Sequence, residues 1–122
     1  MTDVAKEIDA LGRYARRLDE LSKAQASTLE TLEPIEHRYV SELSAFEGAL
    51  WKAHLVDGSH FPSERVRIAL YQAELPKDLF AAYVTLRALN RRLEKEISHL
   101  KSQIDARRSI LSALKLEMEA TT

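Results

Sequence analysis

The sequence predicts an all-α protein, an antiparallel helical hairpin or coiled coil with a short third helix at the turn, assembling into a helical bundle. Three observations carry this. Only three Gly and three Pro occur in 122 residues, and 30% of the chain is charged, a composition that favours long helices. Apolar residues recur at steps of three and four over two long segments. The densest cluster of helix breakers, Asp57-Gly58-Ser59-His60-Phe61-Pro62-Ser63, lies midway between them.

In the first segment the seam reads Val4, Ile8, Leu11, Ala15, Leu18, Leu29, Leu32, Tyr39, Leu43, Phe46, Leu50 and Ala53, with Ser22, Gln25 and Glu36 where the phase falls on polar residues. Thr2 or Asp3 can cap its start, and Gly58 can end it just after His54. Pro34 costs about 3 kcal/mol in a helix interior. Because the phase continues from Leu32 to Tyr39, one kinked helix is expected rather than two.

After the turn, Ser63 is placed to cap a short helix whose buried face would be Val66, Ala69, Leu70 and Ala73. Pro76 suits a first helical position, and Asp78 complements the positive end of the helix dipole. From there two heptad lines run without Gly or Pro. One holds Leu79, Leu86, Leu93, Leu100, Arg107 and Leu114; the other holds Tyr83, Asn90, Ile97, Ile104, Leu111 and Met118. A helix of about 45 residues, near 65 Å long, follows at about 1.5 Å per residue.

The width of the stripe varies. Between Asn90 and Arg107 only the two seam lines are apolar, whereas Phe80, Val84, Ala88 and Leu89 widen it earlier. Seven of the eight aromatic residues fall in the middle third, Tyr14 being the exception, and aromatic side chains dominate core energetics. The expected layout within a single helical domain, 1–122, is therefore a head over about 39–89 and a stalk formed by about 3–33 with 90–118. Such a narrow seam buries little per residue, so the chain is expected to form a homo-oligomer, a dimer above all, with an unidentified protein partner as the other possibility.

Two seam positions are polar. A single Asn in a Leu/Ile heptad sets register and oligomer state, as Asn90 would in a parallel dimer, but two Arg107 side chains in one core layer would repel. In a hairpin turned about the middle, Ser22 and Gln25 are expected level with Arg107, and Asn90 near Tyr39 to Leu43. Alternatively, Arg107 snorkels outward and Ile110 takes its place.

Without cysteine the chain has no disulfide framework and no thiolate nucleophile or metal site. No two of His37, His54, His60 and His99 stand at i, i+4, and Glu96-Ile97-Ser98-His99 is one copy of a spacing that helical metal sites use twice. Asp57, Ser59 and His60 read as loop residues. No catalytic residue, cofactor or metal site is assigned. No apolar run approaches the roughly 20 residues of a membrane span, and Met1-Thr2-Asp3-Val4 does not start a signal sequence; no membrane contact and a cytoplasmic location are expected.

Net charge is −1, but residues 79–122 carry eight Lys and Arg against five Asp and Glu, while residues 1–61 carry seven against eleven. An acidic first helix complementing a basic last one is the preferred explanation. The alternative function is a nucleic-acid accessory protein, with Arg87, Arg91, Arg92, Lys95 and Arg108 as phosphate contacts. A further alternative is a small helical enzyme with its site in the aromatic head. The primary expectation is a non-enzymatic coiled-coil interaction or scaffold protein that self-associates through its long helices, with Leu79 to Met118 as its seam.

Overall fold

The computed structural model describes residues 3–57, 60–74 and 77–121, and contains three helices: α1 (Asp3–Asp57), α2 (Glu64–Glu74) and α3 (Lys77–Thr121). The protein is all-α, a helical hairpin in which α1 and α3 pack against each other. Cα packing divides it into two compact units. The first joins Met1–Ser27 to Leu89–Thr122, and the second is Thr28–Ala88.

Helix α1 runs through Pro34. Pro34 and Glu30 are both exposed while Leu32 is buried and Ile35 half-buried. The carbonyl that proline leaves without its helical donor belongs to Glu30, on a side open to water, so packing of the opposite side offsets the break. Asp3 lies in the first turn and His54 in the last, both on the favourable side of the helix dipole. Thr2, Gly58 and Pro76, expected at helix ends, lie outside the described residues.

The phase of α1 differs from the sequence expectation. One expected line, Val4, Leu11, Leu18, Gln25, Leu32, Tyr39 and Phe46, is buried or half-buried throughout. The second line is Glu7, Tyr14, Leu21, Thr28 and Ile35, one residue ahead of Ile8, Ala15, Ser22 and Glu36, which are exposed; Leu29, Leu43 and Leu50 of the expected line are half-buried, Leu29 and Leu43 against the core of the second unit. The polar interruptions at Ser22 and Glu36 were a consequence of the wrong line. Leu21 and Ile35 fill those levels.

Helix α2 begins at a cap in which Ser63 Oγ accepts a hydrogen bond from the Val66 amide at 3.4 Å, and the Ser63 carbonyl accepts one from the Arg67 amide at 2.9 Å. Its buried face is not the expected one. Val66, Ala69, Leu70 and Ala73 are exposed; Tyr71 is buried, with Arg67, Ile68 and Gln72 half-buried. Aliphatic spacing favoured the first face, but Tyr71 brings a larger apolar area plus a hydroxyl that donates to the Tyr39 carbonyl at 3.0 Å, and the ring decides the orientation.

Candidate interaction surface

In the first unit Leu93, Ile97, Leu100 and Ile104 of α3 are buried against Leu21 of α1, with Leu11, Tyr14, Leu18 and Leu89 packed around them. Leu111 and Leu114 are half-buried and Met118 is exposed. Two polar pairs cross this seam. Gln25 Nε2 donates to Asn90 Oδ1 at 3.4 Å, and Arg107 Nη1 donates to Glu7 Oε1 at 2.8 Å. The Glu7 carboxylate, and after it the Tyr14 hydroxyl, hold the Arg107 guanidinium above its ordinary pKa.

These pairs correct the expected register. Gln25 stands level with Asn90 and not with Arg107, and Asn90 does not approach Tyr39, whose ring stacks on Tyr83. Arg107 does not give way to Ile110, which is exposed; it remains at the half-buried seam. Glu7 and Tyr14 were missed as seam residues because a charge and a lone aromatic dilute the apolar pattern. Their seven-residue spacing with Leu21, Thr28 and Ile35 was the available signal.

Beside the seam a groove of about 810 Å³ opens between the two helices. Leu11 and Leu18 of α1 and Ile104 of α3 contribute its apolar part; Gly12, Ala15, Asp19 and Ser22 line it along α1, and Lys101, Asp105 and Arg108 along α3. Ile8, on the same heptad line as Ala15 and Ser22, is 54% exposed. A smaller recess of about 370 Å³ lies among Asp3, Val4, Leu114, Glu117, Met118 and Thr121.

The second unit is built on rings. Leu79 and Tyr83 of α3 are buried with Leu32, Tyr39 and Tyr71, and Leu86, Phe46 and Phe80 pack against them. Tyr39 stacks on Tyr83 with centroids 4.3 Å apart and meets the edge of Tyr71 at 5.5 Å. Trp51 belongs to a separate cluster: it stacks on Phe61 at 3.7 Å, and the Arg67 guanidinium lies over the Phe61 ring, 4.8 Å from its centroid. Tyr39, Tyr71 and Tyr83 pack on one another, whereas Trp51 stands with Phe61.

The charged candidates divide by what occupies them. Arg87 donates to the Tyr83 hydroxyl at 2.9 Å, and Arg108 lies 4.0 Å from Asp105. Arg91, Arg92 and Lys95 are exposed and form no ion pair among the described residues. Complementarity between α1 and α3 is thin: Glu7–Arg107 has the expected polarity, while Arg17–Glu96 at 3.9 Å has the reverse. The Glu96–His99 spacing gathers no further ligand, His99 being exposed, and no three His, Asp or Glu side chains converge as metal ligands among the described residues. His60 is exposed, while Ser59 lies outside the described residues. No described helix is long and apolar enough to cross a membrane. In comparison with known proteins, the chain matches no family model, no curated sequence and no solved structure.

Proposed function

We propose that this chain is a non-enzymatic helical interaction protein that associates with itself through its long helices, forming a dimeric coiled-coil bundle. The supporting observation is surface. Ile8, Leu116 and Met118 are among the large apolar side chains left in water, and the burial of such side chains is the main driving force of association. Light scattering over a concentration series tests the reading. A dimer that dissociates on dilution is the expected result, and a monomer at every concentration would refute it.

A second reading rests on Arg91, Arg92 and Lys95, three cations within five residues that form no ion pair among the described residues. They suit phosphate contact, each adding salt-dependent affinity. A gel shift with labelled duplex DNA or RNA at low ionic strength, lost in Arg91→Glu/Arg92→Glu, would favour this reading over self-association alone.

A further inference from the structure

We propose that the groove of the first unit is the seat of a second copy of this chain, with the α1 wall of each copy lying over the α3 wall of the other. This rests on the self-association proposed above and names its surface. Helix α1 has one apolar or small line more than α3 covers. Val4, Leu11 and Leu18 with Glu7, Tyr14 and Leu21 face α3, whereas Ala15 and Ser22, beside Gly12, stand along the open wall, and Ile8, one heptad before Ala15, is exposed. A helix facing a single neighbour needs two such lines; a third is the pattern of a helix with neighbours on two sides.

Gly12 adds a separate reason. A glycine inside a helix costs about 1 kcal/mol relative to alanine, and among the described residues nothing requires its small size. A Cβ built there would meet only Arg16 Nη1, at 3.7 Å. The room above Gly12 is open to an approaching helix from outside.

Charge selects the occupant. The α1 wall carries Asp19 and the α3 wall carries Lys101 and Arg108, with Asp105 between them. Asp105 is engaged by Arg108 and Asp19 by Lys23, whereas Lys101 forms no ion pair among the described residues. A twofold operation that lays α1 wall over α3 wall brings Asp19 of each copy to the basic wall of the other, twice over. An isologous interface demands this self-complementarity, and the basic pair Lys101 and Arg108 outnumbers Asp105 on the wall that Asp19 meets.

The test uses the full chain, with light scattering for association and far-ultraviolet circular dichroism for helix content. Ala15→Arg is expected to weaken the dimer at least tenfold at unchanged helicity, while Ile110→Arg, on an exposed face that does not line the groove, leaves it intact. Asp19→Lys alone and Lys101→Glu/Arg108→Glu alone each weaken self-association, and an equimolar mixture of the two restores it as a heterodimer because both reversed walls then match. If Ala15→Arg loses helix, the mixture decides. A wild-type dimer that tolerates Ala15→Arg, or a mixture that stays monomeric, overturns the groove while self-association stands. A wild-type monomer overturns both.

Discussion

The two units use the same pair of helices to build different cores. In the second, α1 and α3 are joined by α2, and tyrosines from all three meet: Tyr39, Tyr71 and Tyr83 lie ring against ring, and Leu32 and Tyr71 keep only 3% and 4% of their surface. In the first, two helices meet along an aliphatic seam of Leu21, Leu93, Ile97, Leu100 and Ile104, interrupted by Gln25–Asn90 and Glu7–Arg107. Three elements can surround a side chain, whereas two leave a flank of each helix in water. The second unit therefore closes a ring core among three helices, though Val40, Trp51, Val66, Leu70 and Val84 stay exposed around it, and the first has a lined groove beside its seam.

The sharpest way to break that comparison is to delete one core side chain from each unit. Tyr83→Ala removes a stacked ring and is expected to cost about 3–5 kcal/mol. Leu100→Ala in the aliphatic seam is expected to cost about 2–3 kcal/mol, towards the lower end for buried leucine, because the open flank lets neighbours relax. Hydrogen exchange should show the losses separately, within 28–88 for the first variant and within 3–27 and 89–121 for the second. Equal loss of protection along the whole chain in both variants would mean that the two units unfold as one.

The polar pairs come next in size. Arg107→Met should lower the thermal midpoint because it strands the Glu7 carboxylate, whose side chain is only 13% exposed and whose Oε2 already lacks a hydrogen-bond partner. The double variant Glu7→Met/Arg107→Met should recover the midpoint, since an apolar layer needs no partner. A midpoint unchanged by the single substitution would show that the pair contributes nothing to the first unit.

Tyr71→Phe removes one hydrogen bond to the Tyr39 carbonyl and should cost about 1 kcal/mol. Burial, followed by the nearby Glu42 charge, raises the Tyr71 pKa above its ordinary value of 10.0. The folded state therefore holds this proton more tightly than the unfolded state does. The associated stability is intact below pH 10 and is lost as the pH rises through the folded value. Absorbance titration of the tyrosines should show a late ionisation step that is missing from Tyr71→Phe.

The smallest effect tests α2. Leu70→Gln should change monomer stability by less than about 0.5 kcal/mol, because the side chain is exposed. A loss of about 2 kcal/mol or more, as for a buried leucine, would restore the face that aliphatic spacing favours.

Much of this architecture was legible in the residues. On α3 the heptad from Leu79 to Leu114 is the line that the structure buries, because beyond Asn90 its flanks are charged and no other apolar line competes. On α1 three lines compete, and Ile8, Ala15 and Leu29 outscore Glu7, Tyr14 and Thr28 by hydropathy. Glu7 and Thr28 become acceptable inside only with a partner for their polar atoms, such as the Arg107 guanidinium that Glu7 meets one hundred residues away. The same holds for α2, where Tyr71 needs the Tyr39 carbonyl.

By itself, then, the sequence determined that the chain is helical, where its helices run and which face of α3 is covered. Those follow from local propensity and from a period with a single solution. Only the tertiary structure decided the second line of α1, the pairing of Asn90 with Gln25 and of Arg107 with Glu7, and the face that α2 presents. Each is a choice between helix faces of similar apolarity. It is settled by whether a polar group finds its partner across the fold, which one-dimensional spacing does not record.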